Sequence, residues 1–223
     1  FSLIDKAYSQ NSETNYFLKK LKVKKITSIG NLKFIKHDSF EINQADKKLF
    51  SQFRKYKTFV AASTHNTEEL FAAKTHILLK KKIKNIITII IPRHINRVDQ
   101  IISQINELGL NAISRRSNKK KLDNIDIYLV DTFGESKMFY KFATTVFLGG
   151  SVIKRGGQNP LEPARFGSKI LHGPNIDNFK DVYKYLNQLK ISSKVNSPKE
   201  CANSIVFKKN MKKIKKMKYL GSM

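Results

Sequence analysis

At 223 residues and 25.7 kDa, the chain holds one large domain, or one domain and part of another. A hydrophobic fraction of 40% supports a packed core and excludes wholesale disorder; a single cysteine, Cys201, excludes a disulfide scaffold and a multi-cysteine zinc site. Lys+Arg 43 against Asp+Glu 17 gives a formal net charge of +26, a balance that attracts polyanions such as nucleic acid, anionic lipid or phosphorylated sugar.

In chain order, the first 35 residues read as an end without a beginning. A capping serine, Ser12, opens a helical pattern that runs to Leu21, and a short strand over Ile26–Ile29 leads into Gly30-Asn31-Leu32-Lys33-Phe34. Residues 36–47 are polar and mixed, which suits a linker. From Lys57 an alternation begins: a strand at Thr58–Ala62, then a helix from about Thr67 to Lys81 with Leu70, Phe71, Ile77 and Leu78 on one face. Ile86–Ile91 is β-branched and nearly all apolar, as a strand buried on both faces requires. The next helix carries Ile95, Val98, Ile101, Ile102, Ile105 and Leu108 on one stripe. Further strands are expected at Ile125–Val130, Thr145–Leu148 and Lys169–Leu171, with helices near 135–143, 160–166, 178–189 and 198–208. Strand–helix alternation at this pitch predicts a Rossmann-like α/β fold with a parallel sheet covered on both faces.

The longest apolar run, around Ile86–Ile91, is far short of a membrane-spanning helix, and no segment has the shape of a secretory signal. The chain starts at Phe1 without an initiator methionine, so further sequence upstream is expected, and the whole reads as a cytosolic fragment. The basic excess is lysine rather than arginine and travels with abundant Ile and Asn, as compositional bias would produce. Surfaces that read phosphate lean on arginine for its fork geometry. Bias therefore ranks first, an anionic membrane surface second and dedicated nucleic-acid binding last. The one local basic cluster is Lys208–Lys218, a solvated helix end or a lipid-surface contact.

Ligands of open α/β sheets bind beyond the carboxyl ends of the strands. Four segments fall there: Ser63-Thr64-His65, Pro92-Arg93-His94, Asp131-Thr132-Phe133-Gly134-Glu135 and Gly149-Gly150-Ser151. Ser63, His65, Gly150 and Ser151 are candidate cleft residues, although a lone histidine after a strand is more often structural. Arg93, at the end of the most buried strand, faces either an anion or Glu135 or Asp131. The 131–136 segment offers backbone N–H groups at 134–136 to a ligand or merely caps a helix. The richest segment is Gly156-Gly157-Gln158-Asn159-Pro160-Leu161-Glu162-Pro163. Its glycines allow close backbone approach, Asn159 can cap, Pro160 suits a first helical turn, and a helix N-terminus favours an anion. Glu162, one turn in, better suits ribose hydroxyls than phosphate. The histidines show no metal-ligand spacing, and there is no Asp-x-Asp, Walker or GxGxxG pattern, so neither metal nor cofactor is indicated.

Taken in order and spacing, Gly30–Phe34, Ala61–His65, Ile91–His94, Val130–Glu135, Phe147–Ser151, Gly156–Ala164 and Gly173–Phe179 resemble the 3-deoxy-D-manno-octulosonic acid (Kdo) transferases of Gram-negative lipopolysaccharide synthesis. The resemblance covers about residues 10–207. It implies the C-terminal domain of a GT-B glycosyltransferase with most of the N-terminal domain missing. Residues 1–40 would be the tail of that N-terminal domain and the linker, 41–207 the CMP-sugar-binding domain and 208–223 a basic tail.

The implied reaction is metal-independent and moves Kdo from CMP-Kdo to a lipid A precursor, lipid IV-A, at the cytoplasmic face of the inner membrane. Pro92, Arg93, Gly134, Glu135, Ser136, Asn159, Pro160, Leu161 and Glu162 would bind CMP, and Lys33 would stabilise the transition state. The family's general base is a glutamate with no counterpart here, so the fragment is not expected to transfer sugar alone. The chain departs from the family's pattern at Gln158, where histidine is expected, at Thr67 (glycine), at Ile95 (proline) and at Ser136 (a larger apolar residue). The rival readings are another GT-B enzyme using a UDP-sugar, a basic nucleic-acid-binding module and a non-catalytic homologue.

Overall fold

The computed structural model describes residues 3–10, 12–29, 44–117 and 121–207; Lys33 and the basic run Lys208–Lys218 lie outside them. The chain divides into two compact units, one drawn mainly from residues 1–39 and the other from 40–218.

The first unit is a single β-α-β turn. Strand β1 (Lys6–Ser9) leads into helix α1 (Ser12–Lys20) and back to β2 (Lys25–Ser28), which pairs parallel to β1 with Lys6 opposite Lys25. Glu13 in the first turn of α1 and Lys19 and Lys20 in its last turn complement the helix dipole. The sequence gives β1 no apolar alternation, and it was not expected.

The second unit is a seven-stranded, all-parallel sheet. Its strands are β3 (Lys57–Thr64), β4 (Ile86–Pro92), β5 (Ala112–Ser114), β6 (Ile127–Leu129), β7 (Thr145–Leu148), β8 (Lys169–His172) and β9 (Ser192–Lys194), in the order β5-β6-β4-β3-β7-β8-β9. Every residue of β4 is buried, as its run of isoleucines requires of a central strand. From β3 the chain adds β4, places β5 at the far edge and inserts β6 between them, then crosses to build β7, β8 and β9 on the other side. The topological switch point therefore lies between β3 and β7.

The helices are α2 (Gln44–Phe53), α3 (Glu68–Lys80), α4 (Val98–Glu107) after a 3-10 turn at Ile95–Arg97, α5 (Ser136–Tyr140), α6 (Leu161–Arg165), α7 (Lys180–Gln188) and α8 (Pro198–Ser204). Helix α4 buries Val98, Ile101 and Ile105 on the expected stripe. Helix α3 differs from expectation. It buries Phe71, Ala72, Thr75, His76 and Leu79, while Leu70, Ile77 and Leu78 are only half-buried. The reason is that α3 is packed both by β4 and by α8, so its small residues Ala72 and Ala73 face inward and allow close approach.

Helix α2 corrects the linker reading of 36–47, whose last residues are helical; 36–43 lie outside the described residues. It docks through aromatic rings: Phe50 stacks on Phe142 at 4.3 Å between centroids, and Phe53 meets Tyr128 edge-on at 5.2 Å. Two aromatics one turn apart sufficed, in a segment whose polar start hid the helix. The short edge strands β5 and β9 were likewise not expected.

Candidate functional site

Strand β3 ends in a bulge. Its register against β4 slips between Ala62 and Thr64, and Ser63 takes a left-handed backbone, φ +53°. Next to it β7 ends in Gly149, where a Cβ would lie 2.4 Å from the Ser63 carbonyl oxygen; only glycine permits that approach. The Arg93 N–H donates to the Thr64 carbonyl at 2.9 Å, tying the end of β4 to the end of β3. Ser63-Thr64-His65, Pro92-Arg93-His94 and Gly149-Gly150-Ser151 are thus brought together at the switch point, with the His65 and His94 rings edge to face at 5.7 Å.

The group that organises this corner is Glu68, which the motif reading passed over. Its side chain is fully buried in the first turn of α3, and its carboxylate accepts four backbone N–H groups. Oε2 takes His65 at 3.0 Å and Gly150 at 2.6 Å; Oε1 takes Ser151 at 3.0 Å and Val152 at 2.9 Å. The strand-end loop of β7 is therefore a nest of donors filled by an internal carboxylate. The only signal in the sequence was the acidic pair Glu68-Glu69 just after His65. Ser151 serves the same scaffold: its buried hydroxyl donates to the Leu148 carbonyl and accepts the Gly173 N–H at 2.8 Å. Of the four candidate cleft residues, Ser63 forms the bulge, Gly150 and Ser151 are buried in the loop that Glu68 holds, and His65 is half-buried beside it.

His65 Nδ1 lies 3.2 Å from the Ser63 carbonyl, which can only accept, so Nδ1 carries the hydrogen and Nε2 is the acceptor. Burial lowers its pKa, the Glu68 carboxylate works against that, and the charges of His94 and Arg155 lower it further.

A second convergence joins 134–136 to 159–162. Gly134 has φ +78°, and Ser136 opens α5. Lys137 Nζ lies 3.9 Å from Glu162 Oε1, which draws α5 toward α6. Burial raises the pKa of Tyr140, and the Glu162 carboxylate raises it further. The N-cap of α6 is Pro160 rather than Asn159, but the Asn159 side-chain oxygen, one residue earlier, accepts the Leu161 N–H at 3.1 Å, and Pro160 and Leu161 are buried.

Glu135 does not pair with Arg93. Its carboxylate is gripped by Arg115, Nε to Oε2 and Nη2 to Oε1 both at 3.1 Å, and accepts the Thr132 hydroxyl. Arg115 also reaches Asp46 of α2 at 2.5 Å. Asp131 accepts the Arg116 N–H at 3.0 Å. With both carboxylates engaged elsewhere, the Arg93 side chain stays exposed at the mouth of the crevice. Sequence reasoning missed Arg115, because nothing local marks it: its partners are 20 and 69 positions away.

No family model matches the chain. Its fold resembles that of the C-terminal CMP-Kdo binding domain of WaaA from Acinetobacter baumannii, with a TM-score of 0.62 at 22% identity, covering 71% of this chain and 86% of that one. It also resembles trehalose-6-phosphate synthase OtsA, TM-score 0.55 at 9% identity, covering 98% of this chain and 56% of that one. The fold is the Rossmann-like fold of GT-B glycosyltransferases. In sequence, the chain is similar to the 3-deoxy-D-manno-octulosonic acid transferase of Rickettsia bellii, 31% identical over 212 residues, which cover 93% of this chain and 50% of that protein. The chain is thus a relative of the Kdo transferases, and the resemblance read from its ordered motifs holds. It spans about half or less of the length of the curated relatives it matches.

Proposed function

We propose that this chain is the donor-nucleotide part of a Kdo transferase, binding CMP-Kdo for transfer of the sugar to a lipid A precursor, lipid IV-A. The observation that carries the reading is the convergence of motifs far apart in sequence, 63–65, 92–94 and 149–151, on the switch point of a parallel sheet. Arg93 is the phosphate ligand: its side chain is exposed at the end of β4, with Glu135 taken by Arg115. Backbone groups at Gly134, Glu135 and Ser136, and the Asn159–Glu162 turn, complete the nucleotide site. Glu135 acts there through its main chain, since its carboxylate is spoken for, and Glu162 faces the ribose.

In the transfer, the bond between the anomeric carbon and the phosphate oxygen breaks and its electron pair leaves with CMP. A guanidinium at the phosphate offsets that growing charge without a metal, and the resemblance to the Kdo transferases proposes Lys33 as the transition-state stabiliser. The acceptor hydroxyl forms the new bond, and its proton goes to a base with no counterpart among these residues. The reaction sits at the cytoplasmic face of the inner membrane, where the lysine-rich surface favours anionic lipid.

Calorimetric titration with CMP and with UMP tests the reading. CMP binds more tightly than UMP, and Arg93→Ala weakens CMP binding by roughly tenfold or more, the worth of one charge-assisted hydrogen bond. A preference for UMP would overturn the assignment in favour of a uridine-nucleotide enzyme.

A further inference from the structure

Three polar side chains that the nucleotide site does not use gather over Gly150. A Cβ at that position would lie 3.2 Å from Gln158 Nε2 and 3.5 Å from both Arg155 Cβ and His65 Cε1. Gly150 has φ +64°, so its bare Cα is sterically required, and the three side chains close over it. The cradle stands at the end of β7, beside the switch point where this fold places its ligand. The nearest carboxylate, Glu68, is saturated by four backbone N–H groups, that of Gly150 among them. Arg155 is exposed and has no carboxylate partner among the described residues. Arg155 thus roots its exposed side chain here, with its charge felt by His65, beside the Gln158 amide and, on His65 Nε2, a hydrogen-bond acceptor: donors for an oxyanion beside an acceptor for a neighbouring hydroxyl.

We propose that Arg155, Gln158 and His65, gathered over Gly150, form a subsite for the carboxylate and a neighbouring hydroxyl of an acidic sugar. Arg155 and Gln158 donate to the carboxylate, and His65 Nε2 accepts from the hydroxyl. The inference rests on the donor reading above, in which the transferred sugar is an ulosonic acid, and it separates two anionic groups of one ligand. The phosphate goes to Arg93 and the carboxylate to Arg155.

The test uses the full chain saturated with CMP, into which free Kdo or its methyl ester is titrated and followed by NMR chemical shifts. Free Kdo binds, the ester binds roughly tenfold more weakly or worse, and Arg155→Ala weakens Kdo by a similar factor while CMP affinity stays within about twofold. Arg155→Gln, which keeps the length and polarity of the side chain, serves if the alanine variant is not folded. Equal binding of acid and ester, or no loss in the variant, would overturn the proposal. So would a parallel loss of CMP affinity, which would make the cradle a phosphate site. A chain that binds CMP but not Kdo overturns the subsite and leaves the nucleotide reading standing; one that binds neither overturns both.

Discussion

Thr67 shows what one residue costs at this corner. It precedes α3 with φ +78°, a left-handed backbone that suits the glycine the family pattern places there and that a β-branched residue adopts only under strain. The turn is nevertheless held, because Glu68 beside it is locked to four N–H groups and cannot relax the chain. Strain of this kind is worth about 1–3 kcal/mol, and a glycine gives back about 0.5–1 through the entropy of the unfolded chain. Relief wins. Thr67→Gly should stabilise the chain by about 1 kcal/mol, read as a higher urea midpoint at an unchanged m-value. A lower midpoint would mean that the threonine makes a contact that outweighs its strain.

At the scale of elements, Arg115 fastens three pieces that share no sequence neighbourhood: the first turn of α2 through Asp46, the end of β5, and the 131–135 loop through Glu135. The hydrogen bonds to these partners outweigh burial and push its pKa up, so the guanidinium is firmly charged. Its side chain is one-fifth exposed, so solvent screens part of the interaction. Removing one partner of a fully buried pair costs about 3–5 kcal/mol; here Arg115→Met should cost about 2 kcal/mol. Amide exchange should then quicken in α2 and in 131–136 before it does in β3 and β4. Uniform quickening across the sheet would mean that the arginine supports the whole core rather than this junction.

At the scale of the molecule, acidic residues are few, and five of them are spent on internal partners. Asp46, Glu68, Glu69, Asp126 and Glu135 all have internal partners, while Lys55, Lys57, Lys74, Lys81 and Lys82 face solvent. The titrations that change stability are those of buried groups whose pKa is shifted by folding. His76 lies wholly buried, its Nε2–H toward Asp126 at 3.3 Å and its Nδ1 on the Thr88 hydroxyl at 2.9 Å. Burial lowers its pKa against the opposing pull of Asp126, and burial does the same to His65 and His172. Asp126 is also raised by burial, but the Lys80 hydrogen bond and charge, the Asn111 N–H and His76 leave it lower on balance.

A histidine depressed in the folded state stays neutral there while the unfolded chain takes up a proton. Its contribution is complete above the ordinary histidine pKa of 6.5 and is lost as pH falls through the folded value. Each histidine can contribute at most about 1.4 kcal/mol per pH unit. The urea midpoint should therefore fall from pH 7 to pH 5, with the loss from Asp126 following only below about pH 4. In His76→Gln the midpoint should start lower but depend less on pH. An identical slope in the variant would remove His76 from the account.

The sequence by itself determined the parallel α/β fold, the strands β3, β4, β7 and β8, and the motifs at their ends, because a strand buried on both faces must be written as a local apolar run. Lys33 and the basic run at 208–218 were equally legible as motifs, but they lie outside the described residues. Tertiary structure alone decided which polar groups are spent and which are left for a ligand. Glu68 filling the β7 loop, Arg115 claiming Glu135 in place of Arg93, and His65 meeting Arg155 and Gln158 over Gly150 are pairings between segments at least 20 positions apart. Such pairings leave no periodicity along the chain, since charge and hydrogen bonding act through space once the sheet has set the strand order.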